Sequence, residues 1–411
     1  MMFKKYLCIA IWAAAICSCS TNNDPDIIPI KPTEKQPLDT AYIKKAEATF
    51  DKMFELYWYD RMKIMYDKYP NTLKTNTNQT SYPYEEGYAF VWGYGSVLSA
   101  YSAIFQRSPD FSNFEKKHKS KIIDGLEIYY NTSKKPAAYG SFPNDWDDRY
   151  YDDNIWLGID LVELYDRTKD TWYLDKAKII WKFILSGKDD VLGGGIYWKE
   201  SDPTTKNTCS NAPAAVLGLK LYKSTKDEAY LTTAKEIYEW TKNNLQDPSD
   251  YLYWDSMKSN RTIEKWKFAY NTGQMIQAAA LLYNITNNAK YLTEAKLAAE
   301  SAYNYFFEKY TLPTGETITV LKKGSLWFNA VMFRGFAELN KIEKNMKYIT
   351  AFKQSLDYAW LYARDPQTGL FNSDFSGRTT DEKKDLLTQG GIIEMYARMA
   401  TIQYRKSINI I

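Results

Sequence analysis

Two pairs of adjacent aspartates lie close together in the segment N-D-W-D-D-R-Y-Y-D-D-N-I-W, residues 144–156. They are Asp147–Asp148 and Asp152–Asp153. Two carboxyl groups this near perturb each other, so that one ionises while the other holds its proton to higher pH. Cleavage of a glycosidic bond uses this difference, with a carboxylate as nucleophile and a carboxylic acid as proton donor. The spacing therefore points to chemistry carried by carboxylates.

The second pair, Asp152 and Asp153, stands where an apolar helical pattern begins. One aspartate at such a place is commonly a helix cap, which is the plain structural interpretation. Two of them favour a functional interpretation. A retaining glycosidase needs its two carboxyl groups roughly 5–5.5 Å apart, a separation that sequence neighbours can reach. In the preceding pair, we interpret Asp147 as structural and Asp148 as a candidate sugar contact.

The single histidine and the cysteines narrow the possible chemistry. His118 lies in the run E-K-K-H-K-S-K, which we interpret as a solvated helix face. This argues against a Ser-His-Asp triad and against a His-rich zinc site. Outside the N-terminal segment Cys209 is the sole cysteine, so neither a disulfide framework nor a cysteine metal site is expected. We therefore expect neither a metal ion nor a cofactor.

The overall composition indicates which classes of partner to expect. The 411 residues contain 53 Lys and Arg against 50 Asp and Glu, which gives a formal net charge of +3. This balance implies no broad basic surface, so nucleic acid is not an expected partner. Aromatic residues make up 16% of the chain, with 13 Trp and 35 Tyr. Exposed Trp and Tyr rings offer flat amphipathic faces on which sugars stack.

The N-terminus has the order of a lipoprotein signal peptide. A basic start and an apolar run lead to Ile16-Cys17-Ser18-Cys19, which resembles a bacterial lipobox. Residues 1–18 are then the signal peptide and Cys19 carries the lipid; an ordinary secretion signal is the alternative. Residues 19–39 are polar with four prolines and are interpreted as a flexible tether. We expect the lipid to anchor the protein to a membrane.

A helix-start motif, Tyr-Leu-x-x-Ala or a close variant, recurs along the rest of the chain. Its copies begin at Tyr42, Tyr173, Tyr230, Tyr291 and Tyr348. The last four are separated by 57, 61 and 57 residues. The gap after the first copy is about two such periods, so a degenerate copy is predicted in 111–131. Together these copies define six units.

Each unit combines two helices of different character. The first is amphipathic, as in 227–244, and the second is apolar nearly all round, as in 212–222 and 326–339. A helix that is apolar on every side is buried. Six outer and six inner helices in alternation predict an all-α (α/α)6 barrel, formed by residues 40–411 as a single domain. An open solenoid is the alternative, but common helical solenoids have shorter repeats of about 34–47 residues.

All inner helices of such a barrel run in the same direction, because each is reached through an outer one. Their N-termini therefore meet at one mouth, together with the connecting loops, in which 194–199 and 315–321 are predicted hairpins. Polar and aromatic residues near these helix starts should line a ligand cleft. The candidate substrate-binding residues are Trp92, Asp148, Trp198, Asn207, Asn211, Tyr270, Asn271 and Trp327. Trp156 is expected to pack beside the site.

The motif Y-Y-D-D-N-I-W resembles the Asp-Asp-x-x-Trp signature of glycoside hydrolase family 76. The resemblance covers about residues 40–405, and the motifs G-G-G-I-Y-W, K-N-T-C-S-N and F-A-Y-N-T-G follow in the same order. It implies retaining endo-cleavage of α-1,6-linked mannan without a cofactor. By the same resemblance, Asp152 is the nucleophile and Asp153 is the general acid/base.

Two other functions are compatible with the sequence. A different enzyme on the same barrel, such as an unsaturated glucuronyl hydrolase, would need a basic cleft for its anionic substrate, whereas Lys and Arg are sparse at the inner-helix starts. A glycan-binding lipoprotein without catalysis would also be helical, aromatic and lipidated. The regular repeat and the paired aspartates favour the enzyme over the binding protein.

The expected location follows from the expected substrate. A polysaccharide such as mannan is too large to import, so it must be cut outside the cell or at its surface. Asp24 and Asp26, shortly after Cys19, resemble the acidic export signal of surface lipoproteins in Bacteroidetes. We expect a monomer that is lipid-anchored to the bacterial outer membrane, on the cell surface or on the periplasmic face.

Overall fold

Helices dominate the regular structure in this computed structural model, which describes residues 41–71, 87–108, 111–143, 148–312, 314–375 and 377–407. The described helices are α1 (Ala41–Tyr57), α2 (Val91–Arg107), α3 (Phe111–Glu127), α4 (Tyr151–Thr168), α5 (Thr171–Ser186), α6 (Thr208–Thr225), α7 (Glu228–Leu245), α8 (Ala269–Thr286), α9 (Ala289–Phe306), α10 (Leu326–Asn340), α11 (Lys347–Tyr362) and α12 (Leu386–Ser407). None of them has the length and apolar character that crossing a membrane requires. The predicted signal peptide, the tether and Cys19 lie outside the described residues.

The described strands are short and belong to small antiparallel pairs. They are β1 (Trp58–Tyr59), β2 (Ile64–Met65), β3 (Lys68–Tyr69), β4 (Tyr130–Asn131), β5 (Ala138–Tyr139), β6 (Thr205–Asn207), β7 (Trp254–Lys258), β8 (Ile263–Lys267), β9 (Phe307–Thr311), β10 (Thr317–Leu321) and β11 (Lys384–Asp385). The largest of these sheets has three strands in the order β6-β7-β8. All of them lie in connections that run from an outer helix to an inner one.

The even-numbered helices form a closed inner ring. Helix α2 packs against α4, the order continues through α6, α8 and α10 to α12, and α12 packs against α2. The odd-numbered helices surround this ring, each against a neighbouring inner helix. Contact between α12 and α2 closes the circle, which an open solenoid would not do. The predicted (α/α)6 barrel is confirmed.

Short turns join the inner helices to the outer helices that follow them, at one end of the barrel. Three turns share one design, in which a left-handed residue ends the inner helix and an Asp or Asn caps the outer helix. The left-handed residues are Lys169, Lys226 and Asn287, and the caps are Asp170, Asp227 and Asn288. The long connections meet the inner-helix N-termini at the other end. That end is therefore the one that can build a ligand cleft.

The repeated motif marks the outer helices, as the sequence predicts. Its copies lie in α1, α5, α7, α9 and α11, and their tyrosines are buried except Tyr230, which is half-buried. The degenerate copy predicted in 111–131 is α3. The small side chain at the Ala position of the motif has a steric reason at Ala234: a Cβ added to Gly218 of α6 would lie 2.9 Å from the Ala234 methyl group. Outer and inner helices approach closely where both residues are small.

His118 departs from the prediction for its segment. The run 115–121 is not wholly a solvated face, because His118 is only 3% exposed and its Nε2 lies 2.9 Å from Asp51 Oδ1. Its ring also packs edge-on against Phe50 at 5.0 Å. The reason is helical spacing, since His118 stands one turn from Phe114 and one turn from Ile122 on the buried side of α3.

The predicted loop hairpins have mixed outcomes. The stretch 315–321 does form one, as β10 pairs with β9 in an antiparallel hairpin. The prediction for 194–199 is wrong, because this segment makes only isolated bridges, from Ile196 to Lys188 and from Lys199 to Tyr150. Its backbone conformation explains the difference: Gly194 and Gly195 have φ of 118° and 82°, outside the range of a strand. The hairpin formed by β7 and β8 was not predicted.

A buried ion network fills the barrel axis beyond the mouth. Arg334 of α10 binds Glu394 of α12 through two hydrogen bonds of 2.6 and 2.9 Å, and its Nη1 lies 3.5 Å from Asp160 Oδ1. Asp160 also accepts a hydrogen bond from Ser99 of α2. Asp160 stands eight residues beyond Asp152 on α4, which places it about 12 Å deeper. The network links four inner helices and places a cation beside two of their buried carboxyl groups.

Gly335→Ala is expected to destabilise the protein through the contact between α8 and α10. A Cβ on Gly335 would lie 2.1 Å from the carbonyl oxygen of Gly273 and 3.2 Å from Ile276 Cβ, which leaves it no room. Overpacking of this kind should lower the free energy of unfolding by about 1–3 kcal/mol in urea denaturation. Gly324→Ala is the matched control, because nothing lies within 4 Å of the added Cβ. Equal stability of the two variants would contradict the close packing.

Candidate active site

A cleft of about 450 Å³ opens at the end of the barrel where the inner helices begin. Among the residues that the structure describes, eight aromatic side chains and three aspartates contribute to its wall. The aromatic residues are Phe90, Trp92, Tyr150, Trp156, Trp198, Tyr270, Trp327 and Phe328, and the aspartates are Asp152, Asp153 and Asp255. Such a mixture of flat rings and a few converging carboxyl groups suits a polyhydroxylated ligand.

Asp152 lies in the first turn of α4, with its carboxyl group largely enclosed. Trp198 Nε1 donates a hydrogen bond to Asp152 Oδ2 at 3.1 Å, and Oδ1 is buried without a hydrogen bond of standard geometry from the described residues. Burial raises the pKa of Asp152 to about 6, against the opposing effect of the Cys209 thiol, the Trp198 N–H and nearby backbone N–H groups. The carboxyl group is therefore mainly ionised at neutral pH and becomes protonated in mildly acidic solution.

Asp153 follows directly and also lines the cleft. The N-cap position of α4 belongs to Tyr150, whose side chain makes no capping hydrogen bond, and both aspartates stand inside the first turn. Simple N-capping therefore does not account for the pair. The positive end of the helix dipole favours ionised carboxylates at this place.

A buried arginine fixes the segment that leads into α4. The Arg149 guanidinium is fully buried, binds the Glu200 carboxylate through two nitrogens and donates to Pro136 O at 2.7 Å. Backbone hydrogen bonds join the same two segments, from Tyr151 N–H to Trp198 O at 3.0 Å and from Glu200 N–H to Arg149 O at 3.1 Å. These bonds hold the loop of Trp198 against the helix start, so its indole meets the first of the paired aspartates.

The aromatic wall has a buried layer and an exposed one. Trp327 is 1% exposed and packs edge-on against Trp156 at 5.0 Å and Trp92 at 5.9 Å. Trp156 is likewise buried, so the prediction that it packs beside the site is confirmed. Phe328 stacks on Tyr270 at 4.1 Å. Trp92, at 39% exposed, presents its ring to solvent, and Trp198 does so at 38%.

The fourth residue of several inner helices clamps the preceding loop. Asn211 of α6 accepts a hydrogen bond from Ile196 N–H at 2.7 Å and donates to Ile196 O and Asn207 O at 2.9 and 2.8 Å. The equivalent residues are Asn154 in α4, Thr272 in α8 and Gln389 in α12, which bind Tyr139, Tyr253 and Phe371. Asn211 was predicted to touch substrate, but its amide is engaged with the loop that carries Trp198.

Asp255 of β7 is a third carboxyl group in the cleft, which sequence reasoning missed. Burial raises its pKa, and hydrogen bonds with Ser256 and Asn271 oppose that effect. Its signal was weak, because one Asp beside a Trp in an unrecognised hairpin does not stand out. Cys209 was also missed, since the sequence showed it only as an unpaired thiol. Its proximity to an aspartate depends on how α4 and α6 pack.

Most of the predicted site residues meet in this cleft. Those in its lining are Trp92, Asp152, Asp153, Trp198, Asn207, Tyr270 and Trp327. Outside the lining are Asn211, Asn271, which is buried beside Asp255, and Asp148, which pairs with Lys199 Nζ at 2.6 Å. Their contact with substrate stays a prediction, and Asp147 lies outside the described residues. Within the described ranges, no three His, Cys, Asp or Glu side chains are grouped to hold a metal ion.

Solved structures of other proteins share this fold. One is the family 76 glycoside hydrolase (mannosidase) Bt3792 of Bacteroides thetaiotaomicron, with a TM-score of 0.83 and 33% identity over 90% of this chain and 99% of that chain. Another is the α-1,6-mannanase GH76A of a Salegentibacter species, with a TM-score of 0.68 and 25% identity over 88% of this chain and 99% of that chain. The latter is a variant described as inactive, with two consecutive aspartates replaced by alanine, in complex with α-1,6-mannotetrose.

Sequence comparison points to the same family. Mannan endo-1,6-alpha-mannosidase DCW1 of Candida glabrata is 28% identical over 154 residues, which are 33% of this chain and 34% of that protein. The aligned part thus spans about a third of the length of this curated relative. The model of glycosyl hydrolase family 76 matches residues 42–407, nearly the whole barrel. As the Asp-Asp-x-x-Trp motif predicted, the chain belongs to glycosyl hydrolase family 76.

Proposed function

We propose that the protein is an endo-acting α-1,6-mannanase, which hydrolyses the backbone of α-1,6-linked mannan with retention of anomeric configuration. The observation that carries the proposal is the carboxyl pair Asp152–Asp153, set at the start of an inner helix in an aromatic-lined cleft. Relatives support the substrate. One is named a mannan endo-1,6-alpha-mannosidase, and another is an α-1,6-mannanase described as inactive when two consecutive aspartates are replaced.

The reaction follows from the two carboxyl groups. The Asp152 carboxylate attacks the anomeric carbon, the bond from that carbon to the glycosidic oxygen breaks, and Asp153 gives its proton to the leaving oxygen. Asp153, now ionised, takes a proton from a water molecule that attacks the same carbon. The ester bond to Asp152 then breaks, which releases the sugar and restores both groups. Two displacements give net retention.

The division of roles rests on the family resemblance and not on the pKa. A carboxyl group with a raised pKa would also suit a proton donor. The hydrogen bond from Trp198 to Asp152 supports the nucleophile role, because it holds the carboxylate in one orientation without neutralising it. Enclosure of Asp152 also keeps water away from the bond that it forms with the sugar. An experiment can distinguish this assignment from one in which the two aspartates exchange roles.

The rate should fall in acid as Asp152 takes up a proton. Burial places the pKa of this group at about 6. Above that pH the carboxylate is ionised and can attack; below it, kcat/KM should drop about tenfold per pH unit. This acid limb of the pH profile can be measured from initial rates on linear α-1,6-mannan between roughly pH 4.5 and 8. An acid limb at about pH 4, the value of an ordinary aspartate, would contradict the described burial.

The exposed rings and the third carboxyl group supply substrate contacts in this proposal. Trp92 and Trp198 offer partly exposed faces to mannose rings, as sugars stack on flat amphipathic surfaces. Asp255 accepts hydrogen bonds from sugar hydroxyl groups in the same cleft. None of the described groups that shift its pKa is a cation. Asn207 and Tyr270 complete the polar contacts. The neutral substrate matches a cleft in which the described lining residues include no Lys or Arg.

Product analysis on linear α-1,6-mannan tests the proposal. Short manno-oligosaccharides of several lengths should form early, as expected for internal cleavage. An unsaturated glucuronyl disaccharide serves as the comparison substrate and should stay intact. Release of mannose alone from chain ends would contradict endo-action. Turnover of the glucuronyl substrate without turnover of mannan would favour the other enzyme class.

We also propose that a lipid on Cys19 anchors the protein to the bacterial outer membrane. The support is the Ile16-Cys17-Ser18-Cys19 motif and the polar segment after it. Cys19→Ala should move the protein from the membrane fraction to the soluble fraction, with turnover of mannan retained. Cys17→Ala is the matched control and should leave the protein in the membrane. Unchanged fractionation of Cys19→Ala would exclude the anchor.

A further inference from the structure

The sheet of β6, β7 and β8 contributes to the wall of the cleft, and its outer strand carries an exposed tryptophan. Asn207 on β6 and Asp255 on β7 both line the cavity. Strand β8 pairs with β7 on the side away from β6. Trp266 of β8 is 70% exposed, the largest value among the tryptophans that the structure describes. The order of the strands therefore places this ring next to the cavity but outside its lining.

An irregularity in the strand pairing brings Trp266 opposite a residue of the cavity lining. The register shifts between Trp254 and Ser256, so the one β7 residue between them faces two residues of β8. The β7 residue is Asp255, and the two opposite it are Lys265 and Trp266. Opposed Cα atoms of antiparallel strands lie roughly 4.5–5.5 Å apart. Trp266 therefore starts about one strand spacing beyond the cleft.

Contacts of the neighbouring side chains show which face of the sheet Trp266 occupies. Lys267 Nζ and Trp254 Nε1 bind the same carboxylate, that of Asp247, at 2.6 and 3.1 Å. Lys265 Nζ lies 5.3 Å from the centre of the Trp254 ring. Both lysines are therefore on the Trp254 face. Because successive side chains of a strand point to opposite faces, Trp266 lies on the other face, together with the cleft aspartate of β7.

Packing does not account for the indole ring of Trp266. Within the described part of the chain, the ring makes no hydrogen bond and no ring contact. The small apolar cluster around Met257 and Ile263 of the same hairpin does not include it. A single exposed apolar side chain is common and by itself indicates nothing. A flat ring beside a polar, aromatic-lined cleft is a different case, because sugars stack on such faces.

We propose that Trp266 forms an outer subsite, on which a mannose unit of the bound chain stacks after the chain has passed Asp255. This inference rests on the proposed action on α-1,6-linked mannan. A cavity of about 450 Å³ encloses only a short stretch of such a chain, so the rest of the polymer lies outside it. The outer subsite binds the uncharged chain through a neutral aromatic face. It adds affinity for long chains and little for short ones.

Binding to oligosaccharides of two lengths tests the inference. Asp152→Asn serves as the parent, so that the sugars are not cleaved during calorimetric titration. Adding Trp266→Ala should weaken the binding of α-1,6-linked mannohexaose by about three- to tenfold and that of mannobiose by less than about twofold. Trp266→Tyr keeps a flat ring and should restore most of the affinity. Leu361→Ala removes an equally exposed apolar side chain from α11 and should change neither value.

Two further measurements support the comparison of lengths. In the protein with Asp152 intact, Trp266→Ala should raise KM on linear mannan and leave kcat nearly unchanged, because the lost contact lies away from the reacting bond. Iodide quenching follows the ring directly: the share of the fluorescence that Trp266→Phe removes reports this side chain. Mannohexaose should shield that share from iodide, and mannobiose should not.

The outcomes separate this inference from the proposed function. If the wild type cleaves mannan and Trp266→Ala binds mannohexaose as tightly as its parent, the inference is overturned and the proposed function stands. Equal losses for the two lengths also overturn it, because an outer subsite is reached only by the longer chain. If the wild type neither binds nor cleaves mannan, the proposed function fails and this inference fails with it. A loss confined to mannohexaose and restored by Trp266→Tyr supports the outer subsite.

Discussion

Asp152→Asn is expected to lower kcat on linear α-1,6-mannan by at least about 10⁴-fold, because an amide oxygen is not a nucleophile at the anomeric carbon. The side chain keeps its size, and its oxygen can still accept the hydrogen bond that Trp198 donates to Oδ2 at 3.1 Å. The fold should therefore persist, and affinity for manno-oligosaccharides should survive. Steady-state kinetics measure the loss, and calorimetric titration with α-1,6-mannotetrose measures the binding.

Asp175→Asn is the matched control for this prediction. It makes the same chemical change on an exposed face of α5, outside the cleft, and should leave kcat unchanged. A variant at Asp152 that kept more than about a tenth of the wild-type rate would remove this residue from the chemistry. Loss of binding together with turnover would point instead to a role in holding substrate.

Asp153→Asn should lower kcat by about 10²–10⁴-fold on mannan, where the leaving sugar oxygen needs a proton. The loss should be much smaller for the first step on an aryl α-mannoside whose phenolate leaves unaided. Parallel kinetics on the two substrates measure this difference. Equal losses on both would exclude proton donation by Asp153.

Azide separates the two roles by the configuration of its product. In Asp152→Ala, azide can replace the missing nucleophile, and a single displacement gives the β-mannosyl azide. In Asp153→Ala, azide instead attacks the ester formed with Asp152, and two displacements give the α-mannosyl azide. The opposite pair of products would mean that the roles are exchanged. This assay needs no assumption about either pKa.

The barrel could be predicted from the sequence because its pattern is local. Five of the six outer helices begin with a Tyr and Ala motif of similar spacing, and the inner helices are apolar nearly all round, so alternation and unit number are visible in the chain. Closure of the ring is not a local feature of the sequence. It depends on contact between α12 and α2, which are separated by nearly the whole length of the chain. His118 shows the limit of judging a segment by its charge, because helical spacing from Phe114 outweighs its lysine neighbours.

The site was predictable where adjacent residues carried the signal. Asp152 and Asp153 stood out as a pair at a helix start, and their placement in the cleft needed only the direction of the inner helices. Asp255 did not stand out, because its position depends on the pairing of β7 with β6, a strand far away in the sequence. Asn211 shows a different difficulty: a polar residue at a helix start can serve the loop before it as well as a ligand, so its contact with substrate stays a prediction.

Retaining cleavage of α-1,6-mannan by the carboxyl pair is the central claim, and the anomeric configuration of the first product tests it most directly. Proton NMR spectra taken during early hydrolysis of linear α-1,6-mannan distinguish the two anomers before they equilibrate. We expect the α-anomer of short manno-oligosaccharides to form first with the wild-type protein, and no product with Asp152→Asn. A β-anomer formed first would contradict the nucleophile role of Asp152 and would require attack by water on the opposite face of the sugar.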